Sequence, residues 1–280
     1  EKNAYDGTDL GCTYTKEKTV FKVWSPEAES MTLNLYATGS DQEEGAKKLG
    51  KYEMTKADKG VWEYTYTGDL VNTYYTYRAV VDGQCYGEAV DPYAKAVGVN
   101  GNRGMVVDLA STDPEGWDQN YKRTATSLSD IVVWEVHIRD FSIDASSGVS
   151  KENRGKYKAF TESTTVNGEG KTASCVDYLK ELGVTHVQIL PMYDYASVDE
   201  SKLDTPQFNW GYDPVNYNVP EGSYSTNPYD GSVRVAEMKQ MIKTLHDNNI
   251  NVVMDVVYNH VYSGDEYCFN KIVPGYFSRI

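Results

Sequence analysis

"NVVMDVVYNH", residues 251–260, is an apolar run interrupted by one aspartate and closed by asparagine and histidine. An aspartate in such a strand needs a nearby partner, because burying a polar group without one is costly. The abrupt polar finish reads as a strand delivering side chains to a site. Working outward, the preceding "VRVAEMKQMIKTLHDNN" places Val235, Met238, Ile242 and Leu245 on one helical stripe, with Asn249 as its cap. Further back, "VTHVQIL" (184–190) reads as a buried strand. "TASCVDYLKELG" (172–183) reads as a helix, with Val176, Leu179 and Leu182 at three-residue steps and Gly183 at the C-cap position. "IVVWEVHI" (131–138) is the near-continuous apolar run expected of a parallel strand covered on both faces. Strand, helix, strand, helix, strand predicts an α/β fold with a parallel sheet. The loops after the first two strands are long, about 30 and about 40 residues, and loops of that length are rarely idle. A (β/α)8 barrel builds its site from such loops at the strands' C-terminal ends. A doubly wound sheet competes, but no glycine-rich phosphate turn follows any strand.

Before about residue 110 the pattern is different. "TVFKVW" (19–24), "MTLNLY" (31–36), "VWEYTY" (61–66), "YYTYRAVVDG" (74–83) and "MVVDL" (105–109) are short strands separated by turn signals. Met31, Leu33 and Leu35 alternate with polar residues, as do Trp62, Tyr64 and Tyr66, so half-buried strands of a β-sandwich are expected. The predicted organisation is a sandwich over 1–115, a linker over 116–129 and an α/β domain over 130–280.

The 280 residues carry a net charge of −14, which argues against nucleic acid as a partner, since that binding rests on Lys and Arg. No stretch approaches the roughly 20 apolar residues of a membrane span. The N-terminus shows no basic-then-apolar leader pattern, and the compartment, cytoplasmic or secreted, stays open. The 24 tyrosines and five tryptophans against six phenylalanines suit surfaces that meet ligands with both apolar faces and hydroxyls, sugars among them. A tyrosine-rich sandwich core explains them equally well. Four cysteines, Cys12, Cys85, Cys175 and Cys268, show no metal-ligand spacing and read as buried free thiols.

The residues with chemistry gather near the strand ends. "FNWGYDPVNYNVPEGSYSTNP" (208–228) combines aromatic faces, amides and prolines, which suits either the wall of a polyhydroxylated ligand's site or a rigid loop packed on itself. His260 is placed directly after the third strand. Asp255 is expected on the same strand face as Val257, without an identifiable partner. Asn259 either orients His260, binds an ion or caps the strand. His137, Arg139 and Asp140 end the first strand, His186 reads as structural, and Asp194 has no distinctive partner in the sequence.

Taken together these segments resemble a known family, the type I pullulanases of the α-amylase superfamily. "FNWGYDP" (208–214) is similar to that group's YNWGYDP signature, with Phe208 in place of the first tyrosine. "DVVYNH" (255–260) resembles the superfamily's conserved region at the third barrel strand. "WEVHIRDFS" (134–142), "ELGVTHVQILPMYDYASVDE" (181–200) and "VPEGSYSTNPYDG" (219–231) follow in family order, and the sandwich resembles a carbohydrate-binding module 48. The resemblance implies a fold of β-sandwich plus the first three βα units of a (β/α)8 barrel. It also implies retaining hydrolysis of α-1,6-glucosidic branches in pullulan, amylopectin, glycogen or limit dextrins. Carried over residue by residue, Tyr212 stacks on the sugar, His260 hydrogen-bonds it, Asp213 orders or contacts it and Trp210 adds to the same wall, while Asp255 and Asn259 support the site. No cofactor is required, and calcium is an optional ion for which Asn259 and the acidic loops offer oxygen ligands.

The chain departs from the family in lacking the nucleophile and acid carboxylates of the fourth and fifth barrel strands. The expected partners are therefore an α-glucan and a C-terminal polypeptide portion that completes the barrel, and the chain alone is expected to be inactive. A non-catalytic glucan-binding fragment, an isoamylase and a branching enzyme are the alternatives.

Overall fold

Alternation organises the N-terminal strands. In β2 (Lys18–Trp24) Thr19, Phe21 and Val23 are buried while the residues between them are partly exposed. This is the period of two that puts one face on a core. A computed structural model of the chain describes residues 2–119, 123–125, 127–164 and 172–279. One antiparallel sheet orders β1 (Gly11–Tyr14), β2, β6 (Val61–Thr67) and β5 (Thr55–Lys56). The other orders β4 (Lys48–Glu53), β3 (Ala28–Tyr36), β7 (Tyr74–Val81) and β8 (Gln84–Cys85), with β9 (Gly104–Met105) also paired to β7. Phe21, Val23, Met31, Leu33, Leu35, Tyr75 and Tyr77 fill the space between them.

Two details differ from the sequence pattern. Thr32 and Asn34, the polar alternates of β3, are buried too, because Thr32 bonds Glu53 and Asn34 donates to Thr76. Of the expected strand 105–109 only Met105 is in the ladder, and Leu109 begins a 3-10 turn capped by Asp108.

The α/β part begins with three parallel strands, β10 (Val133–Val136), β11 (His186–Ile189) and β14 (Asn251–Met254), in that order. Val133, His186 and Asn251 lie in register, as do Val136, Ile189 and Met254. Trp134 and Val136 of β10 and Val187 and Ile189 of β11 turn toward the helices α1 (Cys175–Leu182) and α2 (Gly231–Asp247). Here Leu179, Met241 and Leu245 complete a second core, and Trp134 meets Tyr178 edge-on. The opposite, inner face carries Glu135 and Gln188 and is open, with Val133 half exposed. The apolar run 131–138 is therefore covered on one face only, against the expectation from its composition.

The third strand is shorter than its apolar run. Its last ladder bond is Asp255 N–H to Ile189 O, at 3.0 Å, and beyond it the chain leaves the sheet. The alternation expected between Asp255 and Val257 is therefore lost: Val257 packs on the helical-side core while Asp255 meets Gln188 on the inner face.

Between β11 and α2 the chain forms a hairpin, β12 (Tyr193–Tyr195) with β13 (Pro214–Pro220). Helix α2 spans two cores: Met241 and Leu245 belong to the α/β core, whereas Val235 packs with Tyr36, Tyr74 and Met105 of the sandwich. Its first residue must be glycine, since a Cβ on Gly231 would lie 2.5 Å from the Val97 carbonyl oxygen. Short helix α3 (Cys268–Ile272), which follows the third strand, contributes Cys268 and Ile272 to the sandwich core, and Ser25 Oγ–H donates to Ile272 O at 2.7 Å.

Candidate active site

The site grows from the end of the ladder. Asp255 shares the inner face with Gln188, and the tyrosine of "GYDP" comes across to it: Tyr212 O–H donates to Asp255 Oδ2 at 3.0 Å, and Gln188 Nε2 lies 3.5 Å from the same oxygen. This supplies the partner that the sequence left unidentified. Burial, and then the hydrogen bond to Asp255, push the Tyr212 phenol up to about 12, so it remains a donor at neutral pH. The other end of Tyr212 is held as well. His260 Nε2 lies 2.6 Å from the Tyr212 carbonyl oxygen, and a carbonyl only accepts, so this nitrogen carries the proton. Asn259 Oδ1 lies 3.1 Å from His260 Nδ1; an amide oxygen only accepts, so this contact is a hydrogen bond when Nδ1 is protonated as well. His260 itself sits six positions past the last strand residue rather than directly after it, and it is exposed while its Nε2 engages the loop.

The remaining expected residues occupy different surroundings. Trp210 and Phe208 are both about two-thirds exposed, at 64% and 65%, with ring centroids 5.7 Å apart; together they form an apolar step beside Tyr212. Asp213 turns the other way. Its Oδ2 accepts from Ser197 O–H and its carbonyl from Ala196 N–H, which orders the loop on the β12 hairpin. His137 is joined to this loop: its Nε2–H donates to Asn209 O at 2.8 Å and meets the Tyr224 hydroxyl at 3.2 Å, so it is a structural link rather than an open mouth residue. His186 is structural as expected, held by Thr185 and Asn251.

Beneath the hairpin lies a cluster that the sequence reading missed. Arg234 of α2 is fully buried, with Nη1 at 3.2 Å from Asp194 Oδ1 and Nη2 at 2.8 Å from Glu200 Oε2. Glu221, also fully buried, accepts from the Tyr195 and Ser223 amides, both at 3.0 Å. Asp194, read from sequence as lacking a distinctive partner, has two, since Asn216 Nδ2 donates to it at 2.6 Å. Burial and neighbouring Glu200 push Asp194 up to about 7 against the pull of Arg234; burial, Glu200 and Asp194 push Glu221 well above the carboxylate range. One guanidinium cannot neutralise three carboxylates, so the cluster retains protons.

It also reaches into the sandwich. Asn100 N–H donates to Glu200 and Asn100 Oδ1 accepts from the Glu200 amide, both at 2.7 Å, while Asn216 Nδ2 donates to Gly101 O at 3.1 Å. One signal was present in the sequence: the stripe of α2, continued back from Met241 and Met238 by seven and four residues, falls on Arg234. Asp194, Glu200 and Glu221 present oxygens within 4.8 Å of one another and by spacing alone could hold a metal ion. Those oxygens already accept from Arg234 and amide N–H groups, so the positive charge of the site is the protein's own. Asn259, one of the oxygen ligands offered for an optional calcium, has its Oδ1 beside His260 Nδ1.

Comparison with known proteins accounts for this combination. The family model for carbohydrate-binding module 48 (isoamylase N-terminal domain) matches residues 9–94, and that for the α-amylase catalytic domain matches residues 160–273. A pullulanase of Bacillus subtilis (strain 168) is 45% identical over 277 residues, covering 98% of this chain and 36% of its own length. A chloroplastic pullulanase 1 of Arabidopsis thaliana is 33% identical, covering 99% and 32% respectively. A crystal structure of a mutant pullulanase from Paenibacillus barengoltzii, complexed with maltotriose, superposes with a TM-score of 0.93 at 46% identity, covering 99% of this chain and 42% of that one. The chain belongs to the pullulanases of the α-amylase superfamily. It carries a carbohydrate-binding module 48 sandwich and the start of an α-amylase catalytic barrel, and it spans about a third of the length of the curated relatives it matches.

Proposed function

We propose that residues 1–280 form part of a retaining glycoside hydrolase that cleaves α-1,6 branch linkages in pullulan, amylopectin, glycogen or limit dextrins. The nucleophile and acid carboxylates, which retaining chemistry sets about 5–5.5 Å apart, come from polypeptide beyond this segment, and the segment alone binds without cutting. The observation that carries this reading is Tyr212, fixed through its phenol by Asp255 and through its carbonyl by His260 at the C-terminal end of parallel strands. A ring immobilised in this way is a stacking platform for a sugar, with Trp210 extending the wall. Asp255, Asn259 and His260 position it, and Asp213 orders the loop that bears it. The maltotriose bound to the Paenibacillus relative supports an α-glucan as ligand. The division into sandwich 1–115, linker 116–129 and barrel portion 130–280 belongs to the same reading. The test is release of reducing sugar from pullulan by the full-length enzyme, with maltotriose as product. Cleavage confined to linear α-1,4 glucan refutes debranching.

A further inference from the structure

Where Asn209 of the 208–214 loop borders a second pocket, the sign of the charge reverses. In a chain with 41 acidic against 27 basic residues, Arg139, Arg154 and Lys156 share one pocket of about 110 Å3 with Asn209 and Tyr224, and among the described residues no carboxylate lines it. The backbone is shaped to bring these cations together. Gly155 has φ of +71°, and a Cβ there would lie 3.1 Å from Arg139 Cγ, so the Arg154–Lys156 turn rests directly on Arg139.

Their charges are poorly compensated. Lys156 Nζ donates to a backbone oxygen, that of Ser225, at 2.7 Å, and burial holds its pKa below the usual lysine range against the weaker pull of Glu237. Arg154 uses Nε on the Val149 carbonyl, forms no ion pair among the described residues, and acts only at a distance on the exposed Asp144, as the smallest of the influences on that group. Arg139 has, among the described residues, only the exposed Asp140, 3.9 Å away. Buried or half-buried cations without a carboxylate partner are costly unless an anion completes them.

The pocket volume equals that of about four liquid waters, each about 30 Å3, enough for a tetrahedral oxyanion, and guanidinium forks match phosphate oxygens. Asn209, which lines the pocket, is three residues from Tyr212, hence at most about 11 Å along the chain. We propose that this pocket binds a phosphate monoester carried on the α-glucan and so selects phosphorylated branched chains. This rests on the debranching reading and adds an anion subsite to it.

The experiment compares kcat/KM of the full-length enzyme on a phosphorylated limit dextrin and on the same dextrin after phosphatase treatment, for wild type, Arg154→Gln and Arg154→Lys. Inorganic phosphate is titrated calorimetrically at constant ionic strength in parallel. The expected result is a preference of about tenfold for the phosphorylated dextrin, as for one charge-assisted hydrogen bond, carried in KM. Arg154→Gln removes it, Arg154→Lys restores part of it, and activity on the dephosphorylated dextrin is unchanged. Equal rates on both dextrins, with normal cleavage, overturn the phosphate subsite and leave debranching standing. Inorganic phosphate bound by wild type but not by Arg154→Gln, without preference for the phosphorylated dextrin, assigns the pocket to free phosphate and overturns the ester. If neither dextrin is cleaved, debranching fails. In that case, loss of phosphorylated-dextrin binding on phosphatase treatment supports the anion subsite, and its persistence overturns it.

Discussion

Replacing Arg234 by methionine tests whether the cluster under the hairpin is a sealed electrostatic unit. The guanidinium donates to Asp194 and Glu200 and also to the carbonyls of Gly98, Pro220 and Pro228, at 3.3, 3.2 and 3.1 Å. Methionine leaves these acceptors unpaired and two carboxylates facing each other without a cation. Removing one partner of a buried pair costs about 3–5 kcal/mol. With an m-value of about 3 kcal/mol/M, the urea midpoint falls by about 1–1.7 M. The loss depends on pH. Asp194, already raised to about 7, and Glu221, raised further, bind protons in the folded state that they release when unfolded. Raised carboxyl groups contribute most below their unfolded pKa near 4, and that contribution drains away as pH rises through the folded value. Without Arg234 both folded values climb further, so Arg234→Met costs more at pH 8 than at pH 5. Adding Asp194→Asn to Arg234→Met recovers part of the loss at pH 8. A loss under about 1 kcal/mol, equal at the two pH values, refutes the sealed-cluster reasoning and means that water reaches these groups.

Three further outcomes are expected. In the full-length enzyme Tyr212→Phe keeps the ring and loses the bond to Asp255, lowering kcat/KM on pullulan by about tenfold, whereas Tyr212→Ala removes the platform and costs more; equal effects of the two would show that the ring does not stack. Asp91 is buried beneath Tyr75, which donates to it at 2.8 Å, and burial pushes it up to about 6. Its contribution is fully present below pH 4 and declines as pH rises through 6, so Asp91→Asn flattens the fall in stability over that interval in urea titrations at stepped pH. Cys85 is exposed and accepts a hydrogen bond from Arg78 Nε at 2.8 Å; although partial burial opposes it, that bond and the Gly87 amide lower its pKa. In the folded chain it reacts first with a disulfide reagent, one thiol per molecule, while Cys175 and Cys268 react only on unfolding; simultaneous reaction would contradict their burial. The sequence reading of four buried thiols is corrected: Cys85 is exposed and Cys12 partly so, which leaves Cys175 and Cys268 buried.

The parallel strands and both long helices were legible because their apolar stripes repeat at the right periods, and "FNWGYDP" and "DVVYNH" marked two segments that the fold brings together through Tyr212, Asp255 and His260. Strands such as β4, "KLGKYE", were not legible, because an edge strand exposed along most of its length carries no alternation. The end of β14 was not legible either: Asp255 to Val257 continues the apolar pattern, yet the ladder stops where Tyr212 and His260 pull the chain into the site. The Tyr212–Asp255 contact joins residues 43 apart, and no local pattern reports such a distance. No sequence pattern singled out Glu200 or Glu221; only the fold brings them to Arg234, whose position on the helical stripe was the single advance sign.

The placement of Cys268 and Ile272 in the sandwich core bears on how this protein can be recombined. Module shuffling assumes that a domain's interior is encoded within its own stretch of chain. Here the interior of the first domain is finished by residues that lie beyond the third barrel strand. A sandwich transplanted by cutting near residue 115 would arrive with its floor missing, and a foreign sandwich put in its place would have to accept Val219, Cys268 and Ile272 as its own. The two domains are successive in sequence but exchangeable only as a pair.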